Sequence, residues 1–367
     1  MRAARERQEK GENILHLEVG QPGTSAPKAV LAAAARALET SKLGYTDAMG
    51  LPALRARIAA HYREKYALDI SPERIAITTG SSAGFVLAFL SAFDEGAAVA
   101  LTNPGYPCYR QVMKTLGMTP RAIQTRAAQN WMPSRDDLLA AGAAGAGGLD
   151  GVILASPANP TGAMLTPHEL QMLIETTQDM GGVYISDEIY HGLTYDGEDH
   201  SALEFSDDVI VINSFSKYYC MTGWRIGWMV LPEALIRPVE RLIQNLYIST
   251  PSLSQHAAIA AFEAADDLEA VKAVYRKNRD LLLAGLPRAG LTKIVPAGGA
   301  FYLYADIRDF SDNSYDFAKK MLAETGIAAT PGLDFDPQNG KAYLRFSFAG
   351  KTDEMAEAAK RLENWLG

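Results

Sequence analysis

Apolar residues along this chain change their spacing several times, and each change predicts an element. A charged segment, Arg2 to Glu12, reads as part of a helix, and Ile14 to Val19 then alternates apolar and polar positions as a short strand does. Gly20-Gln-Pro-Gly23 turns the chain. Leu51, Leu54, Ile58 and Tyr62 recur at helical spacing behind Pro52, a residue suited to a first helical turn, so an amphipathic helix is expected over 52–66. From Ile75 onward short apolar runs alternate with helical segments, with strands at 75–78, 98–101, 152–155, 183–185 and 209–212 and helices starting at Ser81 and Pro167. This repetition predicts an α/β fold, a mostly parallel central sheet covered by helices on both faces. The run Ile226 to Leu231 follows too soon for a helical crossover and is expected to be antiparallel. After Gln255 the pattern is helical, with a long helix through 271–283. Beyond Pro296, strands at 300–307 and 343–348 and helices near 317–324 and 354–366 predict a second, smaller α+β domain. The Ala- and Gly-rich stretch 140–151 precedes a strand instead of joining a strand to a helix, so it reads as a flexible loop and not as a dinucleotide-binding turn.

The totals narrow the function classes. With 367 residues there is room for two domains, and 48% hydrophobic against 21% charged residues is ordinary for a soluble globular protein. The formal charge of -8, without a basic block, points away from nucleic acid and toward small metabolites. Cys108 and Cys220 are too few for a disulfide framework and lack paired spacing, which suggests reduced thiols in the cytoplasm. The Arg- and Glu-rich start has no apolar core of a signal peptide, and the uncharged stretch 151–167 is broken by three prolines, so no membrane helix is expected. No histidine or cysteine spacing suits a metal.

Candidate chemistry gathers where the apolar strands end. Lys217 follows the run 209–212 in Ser214-Phe-Ser-Lys217, and a poorly solvated lysine there favours its neutral amine, the form that makes Schiff bases. Ser214, Ser216 and Arg225 offer hydroxyls and a guanidinium suited to one phosphate, and together with the lysine they suggest pyridoxal phosphate. Thr79-Gly80-Ser81-Ser82-Ala83-Gly84 lies where a strand gives way to a helix, a place for an anion, although taken alone a plain helix cap accounts for such a turn more often. Asp187 ends the strand 183–185 at the carboxyl edge where α/β ligands bind. Its neighbour Glu188 points to the other face, which argues against a glycosidase pair. Asn159 in Ser156-Pro-Ala-Asn159-Pro-Thr-Gly162 and the Tyr190 hydroxyl are donors, and Tyr106 offers a ring for stacking or plain packing. Arg345, a charge within the apolar strand 343–348, needs an anionic partner, either a substrate carboxylate or a structural acid.

Taken in order, S-x-S-K-x-x-x-x-x-G-W-R-x-G around Lys217, S-P-A-N-P-T-G and S-D-E-I-Y resemble the class I and II aminotransferases, fold-type I pyridoxal phosphate enzymes, from Gly20 to Arg345. The resemblance implies an N-terminal arm (1–24) joining the small domain, a large cofactor-binding domain (25–269) and a small domain (270–367). It implies Lys217 as Schiff-base lysine and proton shuttle, Asp187 on the ring nitrogen, Asn159 and Tyr190 on the ring oxygen and Tyr106 stacked on the ring. Ser81, Ser82, Ala83, Ser214 and Arg225 would hold the phosphate. Gly20, Asn159 and Arg345 would meet the substrate, with Arg345 taking its α-carboxylate. Tyr45, in G-Y-T-D-A-M-G, would reach the phosphate of a neighbouring subunit, which implies a homodimer with shared sites acting on an amino acid and a 2-oxo acid. The family's usual Gly-Glu-Pro-Asp-Phe is here Gly20-Gln-Pro-Gly-Thr24, and the chain starts early, with an N-terminal arm shorter than usual. Carbon-sulfur lyases share the cofactor residues and are the alternative. Transcription regulators built on this fold carry a DNA-binding domain, for which a sheet starting near Ile75 leaves no room.

Overall fold

The computed structural model describes residues 1–144 and 147–367. In chain order its strands are β1 (Leu15–His16), β2 (Ile75–Thr78), β3 (Ala98–Asn103), β4 (Thr119–Gln124), β5 (Gly151–Ala155), β6 (Val183–Asp187), β7 (Ile210–Ser214), β8 (Gly227–Val230), β9 (Tyr302–Asp306), β10 (Ile327–Ala328), β11 (Thr330–Pro331) and β12 (Tyr343–Ser347). A seven-stranded sheet runs in the order β2-β8-β7-β6-β5-β3-β4. As expected, β8 is antiparallel to its neighbours, while the pairs from β7 to β4 are parallel. Because β8 reverses between β2 and β7, β2 points the same way as β7, β6, β5 and β3.

These strands are apolar without alternation because both faces are covered. Ile75, Ile77, Val152, Leu154, Val211 and Trp228 face a core completed by Leu54, Ile58 and Tyr62 of the helix Pro52–Tyr66 and by Leu170 and Leu173 of the helix Pro167–Asp179. Their neighbours Ala76, Ile153, Ile210, Ile212 and Met229 face the other way, against Phe85 and Phe89 of the helix Ser81–Ala92 and Val239 and Ile243 of the helix Glu233–Leu246. The edge strand β4 was not expected from the sequence. Only Ile123 of its six residues is buried, and its Pro120 is tolerated at an edge, so its apolar signal is weak. The helices Lys28–Thr40 and Pro107–Thr115 were likewise unexpected, as was Glu233–Leu246, which carries Pro238 inside it.

The C-terminal sheet β11-β12-β9 is antiparallel, and β1 pairs in parallel with β10. The strand expected over 14–19 is thus only two residues long. Beyond it the backbone stitches two elements together, as Leu17 N–H donates to Ala328 O (2.9 Å) while Leu17 O accepts from Ser347 N–H (2.7 Å). The helix Ala265–Arg288 is longer than the expected 271–283, and the expected boundary at 269/270 falls inside it. Of the stretch expected as a loop over 140–151, the first residues belong to the helix Arg135–Ala143, started by a reciprocal Ser134–Asp137 capping box. Gly145 and Ala146 lie outside the described residues.

Trp228 joins this core to the loop after β7. It is fully buried, stands 4.9 Å from the Phe215 ring, and its indole N–H donates to Tyr62 Oη (3.2 Å). Trp228→Ala should cost about 3–5 kcal/mol, read as a lower urea midpoint at fixed protein concentration.

Candidate active site

Five parallel strands end on one edge of the large sheet, and the turn after each delivers a candidate group to a single cavity of about 520 Å³. β2 leads to Ser81 and Ser82, β3 to Tyr106, β5 to Asn159, β6 to Asp187 and Tyr190, and β7 to Ser216 and Lys217. Arg225 enters from the segment before β8, Gly20 from the turn after β1, and Arg345 from the middle of β12. Three expected site residues do not line this cavity: Ala83, Ser214 and Tyr45.

One end of the cavity is built for an anion. Gly80 caps the helix Ser81–Ala92 with φ +76°, and a Cβ there would stand 2.6 Å from Arg225 Nη2, so the helix start and the guanidinium meet only because Gly80 has no side chain. Arg225 itself has φ +50°, and its Nη1 donates to Thr222 O (3.0 Å), which aims the group along the free N–H groups of the helix. Ser214 is one layer back. Its hydroxyl donates to Ile226 O (3.0 Å) and accepts from Ser216 N–H (3.1 Å), so it supports Ser216, whose side chain reaches the cavity in its place.

The middle holds a lysine and an acid with shifted titration. Burial pushes Lys217 down to about 8, with the Arg345 and Arg225 charges adding to the fall and Asp187 opposing it. Its Nζ donates to Gly20 O (2.5 Å). A Cβ at Gly20 would meet Tyr302 Oη at 2.6 Å, so this backbone approach also requires glycine. Burial raises Asp187 to about 6, partly offset by the Tyr109 hydroxyl, the Ile189 N–H (3.1 Å) and the Lys217 charge. Tyr109 is buried, and its ring stands edge-on to Tyr106 at 5.5 Å.

At the far side Arg345 is buried against neutral groups. Nη1 donates to Asn159 Oδ1 (2.9 Å), and Nη2 to Glu18 O (2.9 Å) and Thr330 Oγ1 (3.2 Å), while the guanidinium lies 4.2 Å from the Tyr302 ring centre and 4.8 Å from that of Phe335. The guanidinium forms no ion pair among the described residues, and its Nε is without a hydrogen bond there. The structural-acid alternative for Arg345 therefore finds no acid. Such a site has the parts to hold one dianion, one protonatable ring and one carboxylate around a lysine that is readily neutral.

Comparison with known proteins agrees with this geometry. The model of the family "Aminotransferase class I and II" matches residues 12–362. This chain belongs to the class I and II aminotransferases. It is 44% identical to a valine–pyruvate aminotransferase of Mycobacterium tuberculosis over 99% of this chain and 94% of that protein. Among solved structures it resembles an aminotransferase from Mycobacterium tuberculosis (TM-score 0.96, 44% identity, 99% and 94% of the two chains) and an aspartate aminotransferase from Thermotoga maritima (TM-score 0.93, 29% identity, 100% and 95%). The aminotransferase is thus an enzyme that moves an amino group from an amino acid to a 2-oxo acid on an α/β fold.

Several residues of the aminotransferase site were not expected from its sequence. Tyr109 lies in the first turn of a helix that begins at Pro107 just after Tyr106, and this places its hydroxyl on Asp187, so only that helix assignment would have found it. Tyr302 shares a hydrogen bond with Tyr190 (Oη to Oη, 2.9 Å), and Glu18 and Phe335 come from segments whose sequence carries no motif. Among the described residues no helix is long and apolar enough to cross a membrane, and no cluster of three or more His, Cys, Asp or Glu residues is placed to hold a metal ion.

The lysine shift has a measurable sign. Because the folded protein lowers its pKa from 10.5 to about 8, the nucleophilic form of Lys217 grows as pH rises through 8 and is lost below it. In cofactor-free enzyme treated with an amine-modifying reagent, the modification rate of Lys217 should show a midpoint near pH 8, and Arg345→Met should move it upward. A wild-type midpoint near 10.5 would contradict the burial argument.

Proposed function

We propose that this aminotransferase works with pyridoxal 5'-phosphate, with Lys217 as the Schiff-base lysine and proton shuttle. The observation that carries the reading is that Lys217, Asp187 and Arg345 are buried around one cavity with no counter-ion bonded to them among the described residues, beside a helix N-terminus and Arg225. The cofactor supplies an aldehyde for the substrate amine and an electron sink for the charge left at Cα. Every other part of the work belongs to the chain.

Ser81 and Ser82 at the helix start, with Arg225 and Ser216, would hold the phosphate, with Ser214 acting through Ser216, whereas Ala83 does not line the cavity and contributes only its place in the first helical turn. Asp187, costly to ionise alone, becomes favourable as a carboxylate beside a protonated ring nitrogen and keeps that proton in place. Asn159 accepts from Arg345 through Oδ1, which leaves its Nδ2 to donate to the ring oxygen together with Tyr190 Oη. Burial keeps Tyr190 protonated, so it remains a donor. Tyr106, which lines the cavity, would lie against the ring. Arg345, with Asn159 and Gly20 beside it, takes the substrate α-carboxylate and fixes its orientation, so that the Cα–H bond is the one exposed to Lys217. The neutral Lys217 amine would take up that proton and carry it as its ammonium, the general-base part of the transfer.

The same reading covers assembly. Tyr45 is 82% exposed and off the cavity, which suits a residue that completes the site of a second copy in a homodimer. Both cysteines are free, which supports the cytoplasm as the compartment. The division into an arm (1–24), a large domain (25–269) and a small domain (270–367) belongs to this proposal as well.

Borohydride reduction of enzyme reconstituted with pyridoxal phosphate, followed by peptide mapping, should place the label on Lys217, and a label elsewhere or none sinks the assignment. Mixed and refolded Lys217→Ala and Tyr45→Ala proteins should recover part of the activity, since one site of each hybrid dimer then has neither defect. No recovery from well-mixed dimers would mean that each site comes from one chain. Arg345→Lys keeps the charge but loses the fork, and since a charge-assisted bond is worth about 1.5–3 kcal/mol, kcat/KM should fall roughly 10- to 150-fold.

A further inference from the structure

Six charged side chains line the cavity: Glu18, Asp187, Lys217, Arg225, Asp334 and Arg345. On the reading above, on which this inference rests, Asp187 and Arg225 meet the cofactor, Lys217 moves the proton and Arg345 takes the α-carboxylate. Among the described residues the charged side chains left for the rest of the substrate are then two acids, and the one cation left beside them is the Met1 amino group, 3.9 Å from Glu18 Oε1. Asp334 is exposed at the rim, whereas Glu18 is buried.

The setting of Glu18 is unusual for an acid. Its Oε1 accepts from His16 Nδ1 (3.0 Å) and lies 3.9 Å from the amino group of Met1, a residue that is itself exposed. Its Oε2 is buried and makes no hydrogen bond among the described residues. A buried acceptor without a partner is costly, and such a group persists where a ligand or its exclusion gives it a use. The backbone of the same residue is fixed to the substrate end, since Glu18 O accepts from Arg345 Nη2 (2.9 Å) and Ser347 N–H holds the preceding carbonyl, Leu17 O (2.7 Å). Arg345 does not neutralise the Glu18 carboxylate, whose ion-pair contacts are with Met1 and His16. The other walls here are Tyr302, Phe335, Ile189 and Pro331, which present rings and aliphatic carbon.

We propose that Glu18 is a specificity-determining residue that turns away amino acids and 2-oxo acids carrying a second carboxylate, so that the substrates are those with uncharged side chains. The two halves of a transamination use one pocket, so the exclusion applies to the amino donor and to the oxo-acid acceptor alike. A diacid anchored on Arg345 brings its second carboxylate toward a buried acid whose Oε1 is met by His16 at 3.0 Å and by the Met1 amino group at 3.9 Å and whose Oε2 has no partner among the described residues, and like charges in a poorly solvated site repel strongly. An aliphatic or aromatic side chain brings no charge to that space and can pack on Tyr302, Phe335, Ile189 and Pro331.

The test uses the reconstituted holoenzyme. Values of kcat/KM are measured for norvaline and glutamate as donors and for pyruvate and 2-oxoglutarate as acceptors, in wild type, Glu18→Gln and Glu18→Asp. Wild type should favour the uncharged member of each pair. Glu18→Gln should raise the ratio of diacid to uncharged substrate ten- to a hundredfold, chiefly through KM, and Glu18→Asp, which keeps the charge, should retain the wild-type ratio. Should Glu18→Gln not fold, 4-methylpentanoate should still inhibit wild type at least tenfold more tightly than glutarate. A wild-type preference for diacids, an unchanged ratio in Glu18→Gln, or equal inhibition by the two acids overturns the proposal. Failure of the underlying reading would look different, as borohydride would leave Lys217 unlabelled and no donor would be transaminated, whereas a labelled, active enzyme with an unchanged ratio removes the role of Glu18 alone.

Discussion

A buried arginine with no acid beside it is the constraint on which this structure turns. Moving a guanidinium out of water is expensive, and the ordinary compensation is a carboxylate. Arg345 instead has the Glu18 carbonyl, the Thr330 hydroxyl and the Asn159 side-chain oxygen, with the faces of Tyr302 and Phe335 above and below its charge. These groups solvate the cation without neutralising it. They also come from five separate stretches of chain, so the position of the arginine on β12 requires that the segment after β1, the turn after β5, β9, β11 and the segment at Phe335 all be in register. Hence the two-residue pairing of β1 with β10, too short to matter for area buried, matters for where Glu18 O is presented.

The same charge acts at a distance on the lysine. Arg345 is the second cause, after burial, of the lowered Lys217 pKa, while Asp187 works against both. In turn Lys217 contributes to lowering Asp187, although burial dominates and the acid ends raised. The cavity is therefore a set of charges each destabilised by removal from water and left open to bound partners, which is the electrostatic signature of a binding site instead of a packed core.

Behind it a second buried network fixes the loops. Glu188 turns away from the cavity and accepts from Ser201 Oγ, Ser186 Oγ (3.2 Å) and Ala202 N–H (2.9 Å), with burial holding its carboxyl at about 8. His191, lowered to about 4 by burial, stays neutral, so its ring can take the Tyr66 hydroxyl on Nδ1 (2.7 Å) and donate from Nε2 to Ser156 O (3.0 Å). That last bond ties the turn after β6 to the turn after β5, and with it Asp187 to Asn159. These polar groups are satisfied, in contrast to those of the cavity, and rigidity follows.

What the sequence by itself determined is local. Runs such as Ile75–Thr78 and Ile210–Ser214 are apolar enough to be strands wherever they sit, and the turns that follow them carry Ser81, Asn159, Asp187 and Lys217 in motifs, so the strand order along the chain and most of the cavity's groups were legible. Weak elements were not: β4 buries one side chain, and the helix Pro107–Thr115 that places Tyr109 against Asp187 has no run of apolar residues to announce it. Ser214 and Ser216 differ by two positions in one motif, and only the hydrogen bond of Ser214 to Ile226 O on the incoming chain decides which faces the cavity. Glu18 is the extreme case. In the sequence it is one polar position of an alternating segment with nothing to single it out, whereas the fold buries it because Leu17 and Glu18 bond to β10, β12 and Arg345. Hydrophobic pattern and turn chemistry reach a few residues along the chain. A buried charge is decided by contacts between residues more than three hundred positions apart, and only the tertiary structure brings those together.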